Sequence, residues 1–566
     1  MTRPLPSLIP SLALLLLLFP DSGSLAAEAT PGAARLDELI ARHQPPATAL
    51  RFPVGVTRSD TPIPAYLSPD DLDPGTAKVR VLLIGGLDGE PATVSAVLQS
   101  LSAAADPAIA LSAVPCAQPD RLGETPIAPA AATDPFPPAG PAYKDPATDA
   151  AHYLWRWIGM HAPDTVLIVS DGGPAAASLA RALGQTPPCE TGTIPARLVP
   201  STDLTQPDGW RRLSESLRDS TPPSPARREI QRRIARTPVA IATELAAVYG
   251  KKLDPVAYIP AMAVMGRLRV GDLTGDPQYL PAAAALAEPY RSGARDSMGE
   301  KANGSNLSGH LLFADLARAT GDPRDLALVR KAADYGFDPQ GSPRESMPFH
   351  SEMSDSIFMG CAPLAEAAAL TGEARYAAQC LAHLRFMQRH CLRDDGIYRH
   401  SPLHESAWGR GNGFAALGLT LSLSVLPETA PEHEAFLTDY RAHLTALRPH
   451  QDATGMWHQL IDRPESYREF TSTCMITFAI LRGLRRGWLA PAEWEPVATR
   501  AWTALQSRIG PDGRLVDVCT GTGKMKSRRD YYDRDALLGP DDRGGAMALL
   551  VSTEMAYWQR ERQPQP

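Results

Sequence analysis

The chain has little aromatic content, 6% of its 566 residues, and only seven cysteines. None of Cys116, Cys189, Cys361, Cys380, Cys391, Cys474 and Cys519 forms a Cys-x-x-Cys pair or stands at zinc-finger spacing, so thiolate metal modules are excluded. An odd count rules out complete pairing within one chain. Most are therefore expected as buried small hydrophobes, with one or two disulfides left open. Positive charge is not in excess: 56 Lys and Arg against 63 Asp and Glu give a net charge of −7 and a pI near 6.0. Bulk charge thus argues against nucleic acid or an anionic membrane as main partner, although a local basic cleft stays open. No apolar run beyond the first twenty or so residues is long enough to span a bilayer.

What is present begins with a leader. Arg3 precedes a Leu-rich stretch from Leu8 to Phe19, and Ser24-Leu25-Ala26 offers the small residues a signal peptidase reads. Residues 1–27 are expected to be a cleaved signal peptide, placing the protein in the periplasm or outside the cell. Hydrophobic content of 44% and charge of 21% are those of an ordinary globular protein. The length suggests more than one domain, and composition divides it in two. Within 28–235, Val79 to Gly86 and Thr165 to Ser170 are short apolar runs ending near glycine, alternating with helical patterns. They read as parallel strands of an α/β domain. Residues 115–147 are rich in Pro and Ala and read as a long loop. Pro222 to Pro225 and the basic cluster Arg227 to Arg236 mark a boundary, the cluster reading as a solvated helix face.

Residues 236–566 read as helix after helix, without strand-like alternation. Thr274-Gly275-Asp276-Pro277, Thr320-Gly321-Asp322-Pro323 and a looser Thr371-Gly372-Glu373 recur 46 and then 51 residues apart. Gly ends a helix in a left-handed turn, Asp caps the next, and Pro suits its first position. The spacing is that of a repeated helical hairpin, and roughly a dozen helices would close into an (α/α)6 toroid. The fold class is therefore multidomain, an α/β domain followed by an all-α toroid. The short joints are expected on one face, with Asp276 and Asp322 as caps, and the chemistry on the other.

Three longer loops carry that chemistry. The first runs from His350 through Met353 to Asp355 and Phe358, where Asp355 alone is most simply a helix cap. The second holds Tyr398, Arg399 and His400, then Trp408-Gly409-Arg410-Gly411-Asn412-Gly413-Phe414. Glycines let backbone approach a ligand, Trp offers a face to a sugar, and Arg a fork to a carboxylate. The third holds Trp457, His458 and Gln459, then Tyr467, Arg468 and Glu469.

In this order, DSIFM at 355, DGIYRH at 395, WGRGNGF at 408, GMWHQ at 455 and SYREFTSTCM at 466 resemble the unsaturated glucuronyl and rhamnogalacturonyl hydrolases, glycoside hydrolase families 88 and 105. A last element appears as Tyr531 and Tyr532, then Asp542-Arg543-Gly544-Gly545. The resemblance covers about 236 to 555. It implies an enzyme that hydrates the vinyl ether of a 4,5-unsaturated uronic acid left by a polysaccharide lyase. An acid protonates C4, water adds at C5, and the hemiketal opens and expels the aglycone. It implies Asp355 as general acid with a raised pKa, and His400 and Arg410 holding the uronate carboxylate or the water. Substrate contacts fall to Trp408, Asn412, Phe414, Trp457, Gln459, Met353, His350 and Asn303. No metal and no cofactor is implied, and the partners are unsaturated uronyl oligosaccharides. The pattern departs at Met353, where many members carry Trp, at Phe414, and at 301–310, where a second Asp is missing and Asn303 or Asn306 stands instead. Those departures favour the alternative, an inactive carbohydrate-binding toroid. In the first domain, Gly85-Gly86-Leu87-Asp88-Gly89-Glu90-Pro91 resembles the zinc loop of carboxypeptidases without its histidine, which implies a degenerate domain that binds no zinc.

Overall fold

The structure is a computed structural model that describes residues 30–103, 106–123, 136–140, 143, 149–218 and 220–562. The expected signal peptide lies outside the described residues, as does most of the Pro/Ala-rich stretch. Among the described residues no helix is long and apolar enough to cross a membrane.

The first domain is built on one sheet of strands β1 (Leu50–Val56), β2 (Pro62–Leu67), β3 (Val79–Ile84), β4 (Ile109–Val114), β5 (Thr165–Val169) and β6 (Ala196–Val199), ordered β1-β2-β4-β3-β5-β6. β4, β3, β5 and β6 run parallel, while β2 is antiparallel to both β1 and β4. Central parallel strands are covered by helices on both faces, so β3 and β5 are apolar apart from the buried Arg80 and Thr165. Alternation along β3 sends Leu82 and Ile84 into one core with Leu154, Trp157 and Leu179. Val81 and Leu83 enter the other with Val94, Val97 and Leu167. Where the carboxypeptidase resemblance has a zinc loop, the carboxylates cap helices. Asp88 accepts from the N–H groups of Ala175 at 3.0 Å and Ala176 at 3.4 Å. Asp171 accepts from the N–H of Ser201 at 2.8 Å and its hydroxyl at 2.6 Å.

The second domain is a closed ring. Helices Tyr258–Thr274, Leu311–Thr320, Ala362–Thr371, Gly409–Val425, Phe470–Arg485 and Asp542–Arg562 each pack on the next, and the last packs on the first. Around them lie Pro238–Ala246, Tyr279–Arg291, Pro323–Ala333, Ala374–Cys391, Pro431–Leu447 and Pro491–Arg508. An inner helix has neighbours on every side, which is why Gly409–Val425 is buried almost all round. Each inner helix from Tyr258–Thr274 to Phe470–Arg485 passes to its outer partner by a short joint at its C-terminus. The inner helices are therefore parallel, and their N-termini share the opposite end. At the joints Gly275, Gly321 and Gly372 take φ of 72°, 70° and 72°, the left-handed region that glycine tolerates. Asp322 caps its helix through Arg324 N–H at 2.9 Å. Asp276 does not cap a helix: it accepts from Gln278 N–H at 3.0 Å within a turn, and the helix starts at Tyr279.

Two further expectations need correction. The basic cluster is a solvated face only in part, at the exposed Arg228 and Arg232. Arg227 is buried on Asp164 at 2.5 Å, and Arg233 donates to the carbonyls of Ser507 at 3.1 Å and Glu190 at 2.9 Å. It ties the two domains together, because a long side chain can neutralise unpaired carbonyls from both. The toroid does contain strands, β7 (Leu515–Cys519) and β8 (Ala536–Gly539), paired antiparallel and too short to show a pattern. All seven cysteines are buried, as expected of most of them, and free.

Candidate active site

The site assembles where the N-termini of inner helices meet. Ahead of Ala362–Thr371 the chain makes a π-helical turn, Ile357–Cys361, a wider turn often found at functional positions. Asp355 enters it. Its side chain is not a cap: neither carboxylate oxygen accepts a backbone N–H among the described residues, although its carbonyl accepts from Phe358 and Met359. Instead Asp355 Oδ2 lies 3.2 Å from His400 Nε2. The main chain fixes this approach, since Ser354 N–H donates to the His400 carbonyl at 2.9 Å. The other ring nitrogen, His400 Nδ1, lies 2.9 Å from the Tyr531 hydroxyl. Asp355 is 6% exposed and His400 0%.

Burial alone would raise the Asp355 pKa. His400 beside it, then His350 and Arg410, outweigh burial and hold the carboxyl below its ordinary range. The raised pKa expected for a resting general acid is therefore not found. Tyr531 is pushed up, first by burial, with the charge of Asp355 adding, so its phenol stays protonated. The imidazole of His400 thus lies between the Tyr531 hydroxyl at Nδ1 and Asp355 at Nε2. His350, lowered chiefly by burial, sits at φ 58°, a left-handed conformation uncommon outside glycine. Its Nδ1 is buried without a protein partner, close to where Gly304 can carry no side chain.

Trp408 and Arg410 are present but not open. Trp408 is 1% exposed, with His400 at a ring distance of 4.4 Å and the Arg410 guanidinium 4.6 Å from its ring centroid. Arg410 donates through Nη1 to the Cys519 carbonyl and through Nη2 to that of Thr520 at 2.5 Å. The expectations that Trp408 offers a bare face and Arg410 a free fork are corrected: each packs the other, and the fork is taken by main chain. Gly411 makes this possible, because a Cβ there would meet Ser354 Oγ at 2.5 Å.

Four other expected contacts are framework. Phe414 stacks on Phe358 at 5.4 Å inside the core. Trp457 is buried with its indole N–H on the Leu447 carbonyl at 2.8 Å. Asn412 is spent on backbone, accepting from Tyr398 N–H and donating to the carbonyls of Tyr398 and Trp408. Gln459 donates to the Tyr531 carbonyl at 3.1 Å, which steadies Tyr531, while its Oε1 is buried without a partner. Met353 is half-buried in the turn before Asp355. Asn303 is exposed and caps Gly304–Gly309 through Asn306 N–H at 3.2 Å, whereas Asn306 is buried and donates to the Val256 carbonyl at 2.7 Å. Asn303 thus fills a helix cap rather than the place of the missing Asp beside Asp355. Glu469 caps its own helix and accepts from Cys519 N–H at 3.0 Å, holding the strand that Arg410 grips.

Two residues carry more than sequence assigned them. Tyr531 belonged to a noted Tyr-rich stretch and touches His400. Arg543 donates to the Tyr258 hydroxyl at 3.3 Å and approaches the Cys519 carbonyl at 3.5 Å, a partly exposed cation near the Arg410 loop. Around the Asp355–His400 pair, Ser354 Oγ, His350 Nδ1, Trp408 Nε1 and Arg410 Nε are all buried without a hydrogen bond to protein. Buried polar atoms are ordinarily satisfied, so such a cluster marks a place built for a ligand or water.

An unsaturated 3S-rhamnoglycuronyl hydrolase from Alteromonas sp. (strain LOR) is 28% identical over 155 residues, 27% of this chain and 36% of its own. The unsaturated rhamnogalacturonyl hydrolase YesR of Bacillus subtilis (strain 168) is 32% identical over 124 residues, 22% of this chain and 34% of its own. The chain thus spans about a third of the length of the curated relatives it matches. A solved glycoside hydrolase of family 105 from C. acetobutylicum ATCC 824 is 21% identical, with a TM-score of 0.49, over 56% of this chain and 98% of its own. Glycosyl Hydrolase Family 88 matches residues 233–558, more than half of the sequence and the whole ring of helices. The chain belongs to that glycosyl hydrolase family.

Proposed function

We propose that the protein hydrates the 4,5 double bond of a terminal unsaturated uronic acid and so releases it from a lyase-generated oligosaccharide. The observation that carries the reading is Asp355, a buried carboxylate at the mouth of the ring that caps nothing and faces His400. Family membership and the names of the curated relatives support the substrate class. Inner-helix N-termini at the same end add partial positive charge, which suits an anionic sugar. The proposal includes export, on the leader-like residues 1–27.

In the free protein Asp355 is ionised, because His400 first, then His350 and Arg410, hold its pKa down against burial. A uronate brings a carboxylate of its own. A second negative charge within about 4–6 Å opposes ionisation, so Asp355 takes up a proton as substrate binds. That proton goes to C4. Water adds at C5, and its released proton returns to the Asp355–His400 pair. The hemiketal opens by breaking C5–O5, and the hemiacetal at C1 then expels the aglycone alcohol; one water is consumed. The alternative, an inactive carbohydrate-binding toroid, draws on the commitment of Trp408 and Arg410 to protein contacts.

The test is loss of the vinyl-ether ultraviolet absorbance on lyase-generated pectin, heparin or chondroitin fragments. Decay is expected on at least one, and Asp355→Asn is expected to slow it by about a hundredfold or more with helical circular dichroism retained. No decay on any fragment leaves the binding toroid.

A further inference from the structure

One pocket of the described residues lies away from Asp355, between the two domains. It is a cavity of about 290 Å³ bordered by Tyr143 and Arg156 of the first domain and by Tyr467, Arg468, Arg508 and Asp517 of the toroid. Its charges do not balance. Arg156 pairs with Asp517 at 2.7 Å, Arg80 with Asp71 at 2.5 Å, and Arg468 with Asp452 at 2.6 Å. Arg500 and Arg508 are left without a carboxylate among the described residues, Arg500 exposed and Arg508 buried; Arg508 is the one that needs an anion. It is 5% exposed, donates once to its own helix at the Ala504 carbonyl at 3.2 Å, and its Nε has no partner among the described residues. Arg468 Nη2 is also buried without a partner. Desolvation lowers the Arg508 pKa, and Asp517 and Asp452 oppose this only from a distance.

We propose that this cavity binds a small carboxylate-bearing ring, with Arg508 as its principal cation. A buried guanidinium without a counter-ion is costly, and a planar carboxylate matches its fork in two hydrogen bonds. Arg508 and Arg468 both border the cavity, and each keeps a donor nitrogen without a protein partner among the described residues. Beside these charges, Tyr143 and Tyr467 stack on each other at 5.0 Å and 10°, and Val54, Leu67 and Met160 supply apolar wall. The volume is near the lower end of small-molecule sites, about 300–1,000 Å³, which fits a single sugar acid. Nothing in this site depends on the reaction proposed above.

The experiment is thermal unfolding of the full chain in chloride-free buffer with sodium glucuronate, glucose or inorganic phosphate. Glucuronate is expected to raise Tm saturably by a few degrees, glucose not at all, and phosphate only at much higher concentration. Asp355→Asn is expected to keep the glucuronate increment, which separates this site from the candidate active site. Arg508→Met is expected to remove the increment and to raise the ligand-free Tm, because an uncompensated buried charge has gone. No increment with glucuronate, an increment that survives Arg508→Met, its loss in Asp355→Asn, equal potency of phosphate, or a lower ligand-free Tm in Arg508→Met each overturns the proposal. If Arg508→Met does not fold, a glucuronate-soaked crystal of the unaltered protein decides it: density on Arg508 supports the site and a cavity without it rejects it.

Discussion

At the scale of single residues, Asp355, His400 and Tyr531 form a line in which each fixes the next. Tyr531 stays protonated because burial raises its pKa, and its hydroxyl, which accepts from the Met525 N–H at 3.4 Å, lies 2.9 Å from His400 Nδ1. Tyr531→Phe removes that hydroxyl and frees the imidazole to turn. Its kcat is expected to fall by about ten- to a hundredfold, as when a supporting hydrogen bond is lost, with KM little changed. Unchanged kcat would remove Tyr531 from this role. Asp355 also predicts a pH effect. Its folded pKa is lowered, so its ionised form stabilises the fold above the ordinary value near about 3.9 and stops doing so as pH falls through the folded value. The stability gap between the unaltered protein and Asp355→Asn is expected to narrow below about pH 4, read as Tm across an acid series. A constant gap would contradict the lowered pKa. Much of this site was legible, since Asp355, His400, Trp408 and Arg410 stand in ordered motifs. Their division of labour was not. A polar or aromatic residue in a mouth loop touches substrate or holds the loop, and the same residue types do both. Asn412 and Gln459 bond backbone, Phe414 and Trp457 fill the core, and only three-dimensional packing separates them from Asp355.

At the scale of elements, the short helix Arg528–Tyr532 that carries Tyr531 is held from outside the toroid. The turn between β1 and β2 reaches it. Arg529 donates to the Thr57 carbonyl at 2.7 Å and pairs with Asp60, Arg528 meets Asp60 at 3.1 Å, and Arg58 meets Asp533 at 2.6 Å. A helix of one turn has no stability of its own. Its place is therefore set by these ion pairs and by its capping box at Ser527 and Asp530. Asp60→Ala removes the anion shared by two arginines. It is expected to lower kcat about tenfold through a looser Tyr531 while Tm changes little, and Asp60→Glu is expected to restore part of the rate. A variant with full kcat would make the turn a mere contact. Sequence could not foresee this link, because the partners lie more than 460 positions apart and each, read alone, is an exposed charge in a turn. What it did foresee were the hairpin joints, whose chemistry is local: Gly321, Asp322 and Pro323 act on their own helix ends.

At the scale of the whole molecule, the parallel inner helices put N-termini at the mouth and leave C-termini to be neutralised at the far end. Arginines do this from within the ring. Glu554 on the last inner helix meets Arg482 at 2.7 Å and Arg485 at 2.6 Å, together with Arg269 from the first. Those three cations outweigh its burial and keep it ionised. Glu366, on Ala362–Thr371, is the contrasting case. It has one arginine, Arg318, and that partner is 37% exposed. Burial comes first there and raises Glu366 to about 7; Arg318 opposes and Asp315 adds. The sign follows from the raised folded value. Protonated Glu366 costs the fold nothing below its ordinary pKa near about 4.5, and stability is lost as pH rises through about 7. Glu366→Gln keeps the shape and an acceptor for Arg318 while removing the charge, and Arg318 is exposed enough to rehydrate. The variant is expected to match the unaltered protein at about pH 5 and to exceed it at about pH 8 by roughly 2–3 kcal/mol, a few degrees in Tm. A Glu366→Gln protein less stable than its parent at the higher pH would mean that the Arg318 pair, and not burial, governs this carboxylate.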